Sequence, residues 1–177
     1  EYLNYGQYLK GETPIRVSIY TPYISIVKYE VIDLKTPIAH LFKVKGLEFI
    51  LYGTIIGTWG IKYQKELAEK ELENFKEDIQ YLKSINQNLI IAGDLNTSFI
   101  ESENTQLSQN NSRNEIANFT NDNNLTISTS SIPQNIDHII VSNFIQNDYK
   151  IQVQEFMNPE TLMDKYHKGV YIELTMK

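Results

Sequence analysis

From Tyr63 to Ile85 the apolar positions fall at Ala68, Leu72, Phe75, Ile79 and Leu82. Those steps of four and three lay one stripe along a helix. The opposite face carries Glu66, Lys70, Glu73 and Glu77, the pattern of a solvated surface. The stripe is expected to pack on a sheet, and the next apolar run supplies a strand for it. Asn88 to Ser98 reads NLIIAGDLNTS, in which Leu89, Ile90, Ile91 and Ala92 run without a polar break. A strand exposed on one face would alternate, so this one is read as covered on both.

Other segments show the shorter period. Residues 15–33, IRVSIYTPYISIVKYEVID, are β-branched and aromatic with a break at Pro22, which predicts two strands around a turn. Residues 37–45 and 48–56 read as a hairpin turning near Gly46. After GDLN, residues 97–111 are rich in Asn, Gln and Ser without periodicity, which predicts a long mobile loop. Ser112 and Glu115 then have capping-box spacing ahead of Ile116, Ala117 and Phe119, the start of a short helix. Strands are expected near 125–128, at 136–142, near 149–156 and at 169–176. Strands first, then helix, strand, helix and more strands predict an α/β fold of mixed sheets, two of them face to face with helices outside.

Composition adds bounds. The chain has 177 residues, 41% hydrophobic, which suits a single domain, and no run approaches the ~20 apolar residues of a membrane helix. With no cysteine, neither disulfides nor thiolate-bound zinc can hold the fold, and the compartment stays open, the cytoplasm being the nearer expectation. The opening EYLNYGQYLK has no initiator Met and no signal-peptide pattern, so a processed or partial chain is expected. A net charge of −6 gives no basic footprint for non-specific nucleic-acid binding. A polyanionic substrate would need local help, and a divalent cation is the obvious kind.

Three polar sites sit in or beside buried-looking strands: Asp94 with Asn96, Asp137 with His138 in NIDHIIVS, and His167 in DKYHKGVYIEL. In a strand, residues i and i+2 point the same way, so Asp94 and Asn96 should emerge together at the strand end. Gly-Asp-x-Asn is equally good turn chemistry. Asp137 at a strand start also suits binding loop amides, and a lone histidine before a strand is commonly a surface residue. His138, on the opposite face from Asp137, reads as structural. His40, inside PIAHLFKVK, is assigned no function.

GDLN after an oily strand, then IDHIIVS, then a closing His-Lys-Gly-Val-x-Ile-Glu-Leu strand resembles the endonuclease/exonuclease/phosphatase superfamily in order and spacing. The resemblance covers Phe49 to the C-terminus well and the first 48 residues only vaguely. It implies a four-layer α/β/β/α sandwich of the deoxyribonuclease-I-like kind, here N-terminally incomplete. It also implies metal-assisted hydrolysis of a phosphoester, most naturally nuclease action on nucleic acid. The implied roles pass residue by residue: Asp94 to the attacking water, Asn96 to a phosphate oxygen, Asp137 to the imidazole of His167, and His167 to the phosphoryl group. Mg²⁺ or Mn²⁺ is the implied cofactor.

This sequence departs from the family pattern in three places. Tyr166 stands where an acid precedes the terminal histidine, with Asp164 two residues early. The upstream metal-binding Glu has only Glu1 as a candidate. Gly53 to Gly57 carry no histidine where many members have one. Those departures keep open a second expectation, a catalytically degenerate relative that acts as a binding or scaffolding module. A third is an unrelated fold in which GDLN is turn chemistry alone. Trp59 is a candidate for stacking on a base or for packing. Oligomeric state and the choice among DNA, RNA, lipid headgroup and small phosphoester are not legible.

Overall fold

The structure is a computed structural model that describes residues 2–3, 17–31, 37–57, 65–103, 110–156 and 167–177. Glu1, Trp59, Asp164 and Tyr166 lie outside the described residues, as do the ends of the 15–33 segment. The chain divides into two compact units, residues 1–93 and 94–177.

The first unit contains β1 (Tyr2–Leu3), β2 (Ile19–Tyr20), β3 (Val27–Tyr29), β4 (Ile38–Val44), β5 (Leu47–Ile55), α1 (Lys65–Ile85) and β6 (Leu89–Asp94), whose last residue opens the second unit. β1 pairs with β2 in a small ladder of its own. The larger sheet runs β3-β4-β5-β6 within this unit. The 15–33 segment thus forms two short strands, β2 and β3, that belong to different sheets. The expected hairpin is β4–β5, in register from Val44 opposite Leu47 to Ile38 opposite Gly53. Its turn uses Lys45 and Gly46 with φ of 49° and 91°, the positive pair whose twist suits antiparallel strands. Ile19, Ile38 and Phe42 form an apolar cluster with Val17, Val44, Phe49 and Leu51 around them.

α1 buries the stripe its spacing predicts: Leu72, Phe75, Ile79 and Leu82 are all under 8% exposed. Lys70, Glu73 and Glu77 are exposed, as a solvated face requires. The stripe meets β5, where the Tyr52 ring lies 6.3 Å from that of Phe75 and its hydroxyl donates to Asp78 at 2.9 Å. Asp78 is buried within the stripe, where periodicity alone would have turned a carboxylate outward. β6 neighbours β5: Asn88 accepts a bond from Ile50 N at 2.9 Å, and its amide donates to Glu48 O at 3.0 Å. Leu89, Ile90 and Ile91 are buried, so the strand is covered as its unbroken apolar run implies. At Gly93 a Cβ would sit 1.8 Å from the Thr54 carbonyl oxygen, so this close approach of backbone admits only glycine.

The second unit contains α2 (Asn110–Asp122), β7 (Leu125–Ile127), β8 (Asp137–Ser142), α3 (Asn143–Asp148), β9 (Tyr149–Phe156) and β10 (Gly169–Met176). α2 starts at Asn110, two residues before the expected capping serine. It ends into Asn124, whose φ of 53° is the left-handed turn that stops helices. Ile116 and Thr120 are buried where α2 packs on β7. The six-residue α3 was not expected, being too short to show an apolar stripe, and it buries Ile145. β9 and β10 form an antiparallel ladder, from Tyr149 opposite Met176 to Phe156 opposite Gly169. Among the described residues, no helix is long and apolar enough to cross a membrane.

Candidate active site

Asp94 is the last residue of β6, and its carboxylate closes a turn. Asn96 N donates to Asp94 Oδ1 at 2.8 Å and Asn96 Nδ2 to Asp94 Oδ2 at 3.1 Å. Asn96 reaches this position with a φ of 48°, a left-handed conformation that asparagine tolerates. The turn chemistry noted in the sequence is therefore present. It also means that Asp94 and Asn96 face each other by a turn and not as same-side residues of one extended strand.

Asp137 opens β8. Two residues earlier the buried Asn135 accepts a bond from Asp137 N at 3.2 Å and donates its amide to the Asp137 carbonyl. With its backbone so held, Asp137 aims Oδ2 at the entrance of β10. There His167 Nδ1 and the backbone N–H of Lys168 both donate to it at 3.1 Å. The His167 side chain is 42% exposed and that of Asp137 25%, so the pair lies at a surface within reach of a solute. Donor atoms of Asp94, Asp137 and His167 all lie within 4.8 Å of one another. Three of the four residues singled out from sequence thus share one small volume, and Asn96 is hydrogen-bonded to the first of them.

His138 takes the structural place expected of it. It is buried, and its Nε2–H donates to the Thr97 carbonyl at 2.8 Å. Thr129 Oγ1 lies 2.9 Å from Nδ1 and accepts from Ile139 N at 3.0 Å, so its own hydrogen goes to the imidazole. Because a carbonyl only accepts, these partners fix a neutral imidazole protonated at Nε2. Burial pushes its pKa down to about 4, against smaller opposing effects of the backbone at Thr97 and Asn135. The edge of the ring also meets Phe99, 4.7 Å between centroids. His40, in β4, is buried with Nδ1 3.1 Å from Ser25 Oγ, and desolvation followed by the Lys28 charge lowers its pKa.

A second set of bonds links the same loops. Glu103 accepts from Ser98 Oγ at 2.6 Å and from Gln134 N at 2.8 and 2.9 Å. Arg113 on α2 donates to the carbonyls of Ser98 at 2.6 Å and Glu103 at 3.0 Å. Leu95 N donates to Ile136 O at 2.9 Å, one residue from each acid. Sequence reasoning passed over Glu103, Arg113, Thr97, Ser98 and Asn135. Only Asn135 had a local signal, the Asn-x-Asp spacing of a side chain that binds the backbone two residues on.

The donor set fits an oxygen-preferring divalent cation: two carboxylates supply hard ligands, and the imidazole is already directed at Asp137.

No family model and no curated protein matches this sequence. Solved structures do. A 3′ phosphatase, NExo, from Neisseria, bound to product DNA hairpin, superposes with a TM-score of 0.65 at 16% identity over 86% of this chain and 72% of that one. The endonuclease domain of TRAS1, a telomere-specific non-LTR retrotransposon, gives 0.54 at 11% identity over 80% and 64%. An AP endonuclease from Archaeoglobus fulgidus gives 0.53 at 11% identity over 81% and 66%. This chain thus spans about two thirds of the length of the last two. At such identities the likeness is one of fold, and the chain has the deoxyribonuclease-I-like α/β sandwich of the endonuclease/exonuclease/phosphatase proteins.

Proposed function

We propose that this chain is a divalent-metal-dependent phosphoesterase, a nuclease that hydrolyses phosphodiester bonds. The observation that carries the reading is the convergence of Asp94, Asp137 and His167 within 4.8 Å on three separate stretches of chain. Nucleases and phosphatases of the same fold support it. In this reading Asp94 orients the attacking water and takes its proton, held in place by its two bonds from Asn96. The Asn96 amide is the neutral donor for a phosphate oxygen. Asp137 accepts Nδ1–H of His167, which turns Nε2 of the ring away from the acid and toward the phosphoryl group. The bond between phosphorus and the leaving oxygen breaks as that between phosphorus and the water oxygen forms. When bound, Mg²⁺ or Mn²⁺ neutralises phosphate charge and polarises the P–O bond, with Asp94 and Asp137 as the oxygen donors fit to hold it.

Cleavage of plasmid DNA, RNA and a generic phosphodiester with Mg²⁺, Mn²⁺ or EDTA, beside Asp94→Ala and His167→Ala, tests this. Metal-dependent cleavage lost in both variants is the expected result. A folded chain that cleaves nothing above its variants overturns the enzyme reading and leaves the degenerate binding module.

A further inference from the structure

Beyond His167 the β9–β10 ladder has two unlike faces. Val170, Ile172 and Leu174 are partly buried, as are Ile151 and Val153, and they line one face. The other face brings together Gln154, Phe156, Gly169, Tyr171 and Glu173. Phe156 is 59% exposed and Tyr171 36%, and their ring centroids lie 6.1 Å apart at a 45° tilt. Gly169 sits opposite Phe156, and a Cβ there would fall 2.5 Å from the Phe156 ring. The ring therefore rests one side on bare glycine backbone and turns the other to solvent. Tyr171 is steadied by its hydroxyl, which donates to Gln154 Oε1 at 2.5 Å. The pair is thus held in place as an aromatic surface.

Its location matters more than its exposure. Gly169 is two residues past His167, a distance of about 7 Å along an extended chain. A base attached to a sugar beside the phosphate at His167 comes within reach of these rings. The chain's net charge of −6 argues the same way, because it gives a polyanion no overall excess of cations to bind. Stacking is a source of affinity that charge does not oppose, and every base has a face to offer. Lys168, whose own cation reaches this neighbourhood, is paired with Glu155 at 2.9 Å and directed away from the aromatic face.

We propose that Phe156, with Tyr171 beside it, is the stacking platform for a nucleobase of a single-stranded nucleic acid whose phosphate lies at His167. This rests on the phosphoesterase reading and narrows its substrate to phosphoesters that carry a base.

The test is equilibrium binding in EDTA, where no turnover occurs, of a labelled oligothymidylate and of an abasic oligomer with the same number of phosphates. The wild-type chain should bind oligothymidylate more tightly by about tenfold, as expected of one stacked base. Phe156→Ala should remove that preference and leave abasic-oligomer affinity unchanged, which also certifies that the variant is folded. Phe156→Trp should keep the preference and Phe156→Leu should not, and Tyr171→Ala should weaken it by about threefold. Equal wild-type binding of the two oligomers, or a Phe156→Ala loss shared by both, overturns the proposal. Because binding is read without hydrolysis, neither result depends on whether the chain turns over.

Discussion

The two units bury polar groups in different ways. In residues 1–93 the Tyr52 to Asp78 bond is set into an apolar stack of Leu72, Phe75, Ile79 and Leu82. In residues 94–177, Thr97, Ser98, Thr129, Asn135 and His138 are all buried and hydrogen-bonded, over separations from two residues (Asn135 to Asp137) to 41 (Thr97 to His138). Burial of the first unit's apolar stack is non-directional and tolerates small errors. The second unit has an apolar core too, with Leu95, Ile116, Ile136, Ile140 and Ile145 buried, and adds to it side-chain hydrogen bonds whose directions bear on where Asp94 and Asp137 point. The difference bears on the proposed chemistry: a carboxylate that must meet a histidine needs direction, and the hydrogen bonds around Asp94 and Asp137 supply it.

Substitutions should separate these modes. The largest effects are expected on turnover: Asp94→Asn or His167→Ala should lower phosphodiester hydrolysis by about 10²–10⁴-fold, with thermal stability near that of the wild type. Activity within threefold of wild type in either variant would remove that residue from the chemistry. Next in size, Phe75→Ala should cost about 3–5 kcal/mol in denaturant unfolding, leaving the turnover of the folded fraction unchanged. A loss of turnover larger than the loss of folded protein would mean that the first unit does more than support.

His138 sharpens the comparison through pH. Its folded pKa near 4 lies below the ordinary 6.5, so between those values the unfolded chain takes up a proton that the folded chain refuses. Stability contributed by the neutral ring is therefore full above pH 6.5 and falls as pH drops toward 4, by about 3 kcal/mol across the window. His40, lowered in the same direction, adds a loss of the same sign. Unfolding free energy measured from pH 7 to 4 in wild type and His138→Gln checks this, and the variant should show the shallower slope. Parallel slopes would contradict a buried neutral imidazole. The smallest effect belongs to Tyr52→Phe, about 1–2 kcal/mol for the donor removed from buried Asp78, with hydrolysis unaltered.

What could be read in advance follows the same division. The α1 stripe and the β4–β5 hairpin carry their own period, and both formed close to their expected bounds. α3 and β1 carry none, and neither was anticipated. Asp94 and Asp137 stood out as carboxylates at the ends of apolar strands, and His167 joined them through the family resemblance of the GDLN, IDHIIVS and closing His-Lys-Gly-Val motifs. The residues that aim them did not stand out. Glu103 and Gln134 are 31 positions apart, Thr97 and His138 41, and no local pattern announces such partners. Asp78 was missed for the converse reason, since helical periodicity counts every carboxylate as outward-facing.

The central claim is that Asp137 and His167 act as one unit upon the phosphate. It is tested most directly by a double-mutant cycle on metal-dependent hydrolysis with Asp137→Asn, His167→Ala and the pair. Because the acid orients the imidazole, the combined loss in the double variant should fall well short of the product of the two single losses. If the two losses instead multiply, Asp137 and His167 act independently and the account of the site is wrong.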